Sequence, residues 1–207
     1  MDETSLRQRK KRETRQRISN VATGLFMLRG FDNVTVAEVA EAANVSKMTV
    51  FNYFPRKEEL FFDRGAEAIE LCDEAIRDRA PGESVVSALR RLMLDLTEAH
   101  HPLSALLDTI RPFVQVVLDS PALQAGALAM VNELEHHLAT EFAKLTGGKP
   151  TDPLAAALVI AAMRTLYQHA TRRLLAGETA DEVYPDQIAL VNKAFDMLDA
   201  AIGDQLG

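Results

Sequence analysis

Residues 35–60 restrict the possible folds of this chain more than any other stretch. Thr35 is followed three residues on by Glu38, the spacing of a capping box, in which hydroxyl and carboxylate each accept from the other's backbone N–H. Val36, Val39, Ala40 and Ala43 then repeat at helical spacing. Asn44 tolerates the left-handed backbone that ends a helix and turns the chain. Val45 can plug the angle that follows, and Ser46 can cap a second helix from Lys47 to about Phe54, which Pro55 stops. Two short helices joined by so tight a turn form a helix-turn-helix, the layout that lays its second helix in the DNA major groove.

In that second helix Val50 and Phe54 lie one turn apart and are expected to face the core together with Phe51. Lys47, Met48, Thr49, Asn52 and Tyr53 populate the outer face. Lysine neutralises a phosphate or reads guanine, asparagine bonds adenine bidentately, threonine and methionine touch a thymine methyl, and a tyrosine hydroxyl reaches a phosphate. Lys57, beside the next helix start, is a phosphate candidate, and Thr35 joins the set at the entry to the motif. The expected DNA-contacting residues are thus Thr35, Lys47, Met48, Thr49, Asn52, Tyr53 and Lys57.

The runs Val45-Ser46-Lys47, Thr49-Val50-Phe51, Tyr53-Phe54 and Lys57-Glu58 resemble the TetR family of transcriptional regulators, specifically over about residues 11–71. The resemblance implies an all-α fold of about nine helices: an N-terminal three-helix helix-turn-helix head and a larger C-terminal helical bundle. It also implies a homodimer on a palindromic double-stranded DNA operator, and a repressor released by a small hydrophobic or amphipathic effector. Two departures bear on specificity. Met48 stands where members often carry a small residue, and Phe51-Asn52 where they often carry tyrosine-histidine, so the operator of a familiar member does not transfer.

A net charge of −7 is unexpected for a DNA binder, but it is unevenly spread. Residues 1–64 hold 12 Lys and Arg against 9 Asp and Glu, and residues 65–207 hold 11 against 21. Arg7, Arg9, Lys10, Lys11, Arg12, Arg15 and Arg17 crowd into eleven residues. Such a basic arm, with Arg12, Arg15 and Arg17 nearest the motif, suits phosphate contact and minor-groove insertion. The 47% hydrophobic content supports a full core, and no apolar run nears the ~20 residues that span a bilayer. The charged start lacks the apolar stretch of a secretory signal, and the single Cys72 excludes an intramolecular disulfide, so a cytoplasmic protein is expected.

The expected domains are 11–71, the DNA-binding head, and 72–207, a helical effector-binding and dimerisation domain. A first helix over 9–29 ends at Gly30, and another runs over 57–79. Further helices are expected near 83–100, 102–110, 112–118, 121–146, 152–177 and 185–204, with Pro102, Pro112, Pro121, Pro153 and Pro185 at their starts. Val191, Phe195, Leu198 and Ile202 form a narrow seam that seeks a partner helix, and Leu158 and Ala161 lie on a stripe of small residues. Both are expected at a four-helix dimer interface, although the same seams could pack within one chain.

An effector pocket in the body would draw on Met93, Arg111, Phe113, Gln115, Met130, Met163, Arg164 and Tyr167. Ordinary core packing is the commoner role of each of the apolar ones. The adjacent pairs His100-His101 and His136-His137 diverge by about 100° on a helix and cannot chelate as neighbours, so no metal and no cofactor is expected. No glycine-rich phosphate loop, GxSxG elbow or HExxH motif occurs, and an enzyme reading has no support. Two rivals stay open: an architectural DNA binder that needs no effector, and a ligand-binding or enzymatic body with a vestigial head.

Overall fold

The computed structural model describes residues 3–206, with side chains from Arg9 onward, so the Arg7 side chain lies outside the described residues. The chain is all-α, with no strand among the described residues. Among the described residues, the α-helices of seven residues or more are α1 (Glu3–Arg29), α2 (Val36–Ala42), α3 (Lys47–Tyr53), α4 (Gly65–Arg77), α5 (Val85–Glu98), α6 (Ile110–Leu118), α7 (Pro121–Thr146), α8 (Asp152–Ala176) and α9 (Ala180–Leu198). A π-helical turn, Asp199–Gly203, and a closing turn, Asp204–Leu206, extend α9.

Two compact units are distinguished. The first takes the described residues through Asp63 together with Gln115–Leu128; the second takes Arg64–Val114 and the described residues from Ala129 on. The first unit therefore closes at Asp63 rather than at residue 71, and it gains a segment from the middle of the chain. That segment is held by Ser120, whose hydroxyl donates to Asp32 Oδ1 at 3.0 Å.

In the first unit, Ile18, Ala22 and Phe26 of α1 are fully buried against a core that includes Val39, Val50, Phe54 and Leu60. Phe26 packs on Phe31 with ring centroids 4.9 Å apart and on Phe61 at 6.1 Å. Gly30, at φ +81°, ends α1 in the left-handed conformation, and its N–H returns to the Phe26 carbonyl at 2.8 Å. The helix expected over 57–79 is instead a 3₁₀ turn, Lys57–Leu60, a break, and then α4. The break has a long-range cause. The Ser19 hydroxyl donates to the Asp63 carboxylate, and the Arg15 guanidinium donates to the Asp63 carbonyl at 3.1 Å, which pins this corner to α1.

In the second unit, α4, α5, α7, α8 and α9 share one core, with Cys72, Leu89, Met93, Phe142, Val159, Leu166, Val191 and Phe195 among its buried members. A smaller cluster gathers Leu106, Ile110, Ala170, Leu174 and Val183. The buried Gln187 amide is satisfied: it donates to the Leu166 carbonyl at 3.1 Å and pairs with His169 Nδ1 at 2.8 Å. The segment expected as a helix over 102–110 forms only a 3₁₀ turn, Pro102–Ser104, ended by Ala105 at φ +60°. Pro185 lies inside α9 rather than at its start. Thr179 and Glu182 form a capping box that begins the helix earlier.

The seam expected to seek a second chain packs within this one. Val191 and Phe195 are fully buried, and Leu198 and Ile202 are each 6% exposed, in the core built with α4, α5 and α8. A face already enclosed by its own chain cannot also lie against another, so these four residues are core. Leu158 and Ala161 are half-buried.

Candidate nucleic-acid interface

Local capping builds the motif. The Thr35 hydroxyl accepts from the Glu38 N–H at 3.2 Å, and the Glu38 carboxylate accepts from the Thr35 N–H at 2.8 Å. Arg29, at the end of α1, reaches the same carboxylate at 2.6 Å. The Thr35 N–H bond foremost, then Arg29, holds the Glu38 carboxyl down at about 2. At the other end of α2, Asn44 sits at φ +52°. Its N–H bonds the Glu41 carbonyl at 3.0 Å, and the next N–H, of Val45, bonds the Ala40 carbonyl at 2.9 Å. That pair of bonds is a Schellman closure with asparagine in the left-handed position. Ser46 then caps α3, its hydroxyl accepting from the Thr49 N–H at 3.0 Å.

The outward face of α3 consists of Lys47, Met48, Phe51 and Asn52, all exposed, with Met48 at 69% and Phe51 at 39%. Tyr53 is half-buried. Phe51 does not join Val50 and Phe54 in the core. It follows Lys47 by one turn, and the Lys47 ammonium stands 5.8 Å from its ring centroid. The same four-residue spacing in the sequence already groups Phe51 with Lys47 rather than with Val50.

Several expected contacts have other partners. The Thr35 hydroxyl is exposed but works in its capping box, donating to Glu38 at 2.8 Å as well as accepting from it. Thr49 is half-buried with its hydroxyl 2.8 Å from that of Ser46. The Lys57 ammonium turns inward, donating to the Phe31 carbonyl at 2.6 Å and lying 4.0 Å from the Phe31 ring centroid. Burial lowers its pKa, and it is not free for phosphate. The basic segment is no loose arm: Arg9 through Arg17 form part of α1. Arg15 lies 4.6 Å over the Phe54 ring, so it braces α1 against the end of α3, whereas Arg12 and Arg17 remain exposed.

The residues expected to line an effector pocket fall into separate groups. Met93 is buried in the main core of the second unit, and Met163 packs against it. Phe113 and Tyr167 pack on the smaller cluster. Arg111 donates to the Leu174 carbonyl at 2.7 Å. Met130 lies beside Gly65, and Arg164 is exposed. Gln115 belongs to the other unit and donates to Asp119 at 2.8 Å. A shallow surface depression lined by Asn132, Glu135, His136, Ala139 and Pro153 includes none of them.

A helix-turn-helix capped at both helix starts, with a cationic, amide and apolar face turned outward, defines a DNA-binding regulator. The model for bacterial regulatory proteins of the tetR family matches residues 18–63, and that for the MftR C-terminal domain matches residues 83–202. The chain belongs to the TetR family of bacterial regulatory proteins and is a DNA-binding transcriptional regulator. It is 36% identical over 84 residues to the regulator TcmR of Streptomyces glaucescens, a match that takes in 41% of this chain and only 37% of TcmR. It is 27% identical over 187 residues to the repressor KstR of Rhodococcus jostii, covering 88% of this chain and 85% of KstR. Among solved structures, Thermus thermophilus FadR, a TetR-family repressor in complex with lauroyl-CoA, aligns with a TM-score of 0.50 at 26% identity, over 87% of this chain and 94% of FadR. The SmeT–triclosan complex shares the fold, with a TM-score of 0.54 at 19% identity over 91% of each chain.

Proposed function

We propose that this chain acts as a cytoplasmic homodimeric repressor, without catalysis, on a roughly palindromic operator. Each copy would read one half-site with the outward face of α3. The observation that carries this reading is the exposure of Lys47, Met48, Phe51 and Asn52 on one capped helix. One such helix covers few bases, whereas two linked heads reach half-sites on successive turns of DNA and multiply their affinities. The second unit would carry the dimer face and take an effector. KstR is named a repressor, and the FadR and SmeT structures hold lauroyl-CoA and triclosan, which favours an apolar or amphipathic ligand. Such a ligand must bind the operator-incompetent state more tightly, since equal affinity for both states shifts nothing.

The test is selection from random duplex DNA by the full-length protein. The expected winner is a palindrome with half-sites about 10 base pairs apart, centre to centre, or a multiple of that. Asn52→Ala should relax preference at one base position in each half-site by about 1–3 kcal/mol. Enrichment of no palindrome overturns the reading.

A further inference from the structure

We propose that Asp73 of α4 with His137 and Glu141 of α7 forms a binding site for one first-row divalent transition-metal ion. All three belong to the second unit. Their donor atoms, one from each side chain, lie within 4.8 Å of one another. His137 Nε2 already points at Asp73 Oδ1, 2.7 Å away. Glu141 follows His137 by four residues, which places both on one side of α7. The side chains are 36%, 28% and 24% exposed for Asp73, His137 and Glu141: accessible to an ion from solvent, yet held in place.

Donor chemistry selects the ion. Two carboxylates and one imidazole, with no thiolate, suit zinc, cobalt, nickel, iron or manganese rather than a soft ion such as copper(I). Cys72 precedes Asp73 but is buried in the core and does not supply a ligand. Metal–ligand bonds of about 2.0–2.2 Å place neighbouring donors about 3–3.5 Å apart. The triad therefore has to close by about an ångström, within reach of side-chain rotation alone. Three protein ligands leave further coordination positions for water. Lys144 competes for the site through its ion pair with Glu141. Pairwise histidine spacing misses this arrangement, because its third member comes from a helix more than sixty residues away.

The experiment uses the full chain stripped of metal by chelation, with Co²⁺ as a spectroscopic probe and Zn²⁺ and Mg²⁺ compared by calorimetry. One Co²⁺ per chain should bind with visible bands of nitrogen and oxygen ligation and no thiolate charge-transfer band. Zn²⁺ should bind far more tightly than Mg²⁺, which keeps its waters and prefers oxygen donors. His137→Ala and Glu141→Ala should each weaken Co²⁺ binding by about tenfold or more. His136→Ala, one residue aside, should leave it unchanged. Lys144→Ala removes the competitor and should tighten binding, a gain that damage to folding cannot mimic. Uptake only at millimolar Co²⁺, binding insensitive to His137→Ala, or loss with His136→Ala overturns the proposal. The readout is the ion itself, so failure here leaves the operator reading untouched.

Discussion

The Lys57 ammonium donates to the Phe31 carbonyl and rests against the Phe31 and Phe26 rings, at 4.0 and 5.6 Å from their centroids. A charge-assisted bond and two cation–π contacts in a half-buried setting hold the 3₁₀ turn to the end of α1. Lys57→Ala should therefore lower the unfolding free energy by about 1–3 kcal/mol while leaving the salt dependence of operator binding unchanged. Lys47→Ala should do the opposite: an unchanged melting temperature, and a slope of log affinity against log salt reduced by about 0.9 if Lys47 neutralises one phosphate. A salt titration of both variants separates the two roles. Glu38 gives a pH prediction. Its folded carboxyl, at about 2, lies below the ordinary 4.5, so the unfolded chain holds the proton more tightly. The contribution is full above about pH 4.5 and is lost as pH falls toward about 2. The stability difference between wild type and Glu38→Gln should shrink across that window, as followed by denaturant melts at stepped pH. A constant difference would mean that the charge on Glu38 does not matter.

At the scale of elements, α2, its turn and α3 stand on local bonds. Asn44→Ala forces a β-carbon side chain without a polar tip into φ +52° and should cost about 1–2 kcal/mol, whereas Asn44→Gly should be close to neutral. Ser46→Ala removes the α3 cap and should cost about 1 kcal/mol, measured by circular dichroism in urea. Because these determinants lie within four residues of where they act, this element was legible in the sequence down to the capping box and the left-handed asparagine. The path of residues 57–64 was not, since Ser19 and Arg15, more than forty residues earlier, decide it. Phe51 was misread because aromatic character suggested core where its position, one turn beyond Lys47, indicated the outer face. Lys57 and Arg15 read as phosphate ligands because composition reports a charge but not the carbonyl or ring that holds it. The α9 seam shows the same limit: the spacing of Val191, Phe195, Leu198 and Ile202 announces a buried stripe without saying which helix buries it.

For the molecule as a whole, the location of that stripe moves the proposed dimer face. Phe195 is fully buried in its own chain, so Phe195→Ala should destabilise the protein by about 3–5 kcal/mol instead of merely separating subunits. The surface left on α8 and α9 is different. Leu154, at 59% exposure, begins a stripe on α8 that continues through Leu158, Ala161, Thr165 and Gln168 at spacings of four, three, four and three. On α9, Ala189, Lys193 and Met197 are exposed, Met197 at 64%. Ala161 and Thr165, the small members of the α8 stripe, let two backbones approach closely, and Leu154 and Met197 supply apolar area that a lone chain leaves in water. The double variant Ala161→Arg with Met197→Glu places charge on both helices without entering the core. It should sediment as a monomer, melt in concentration-independent fashion, and bind a single half-site as the wild type does. Its affinity for the full palindrome should fall by about 10²–10⁴, the advantage of linking two heads. A variant that stays dimeric would place the interface elsewhere. A monomer that keeps full palindrome affinity would mean that the two heads do not act together, and the division between a reading unit and a pairing unit would have to be abandoned.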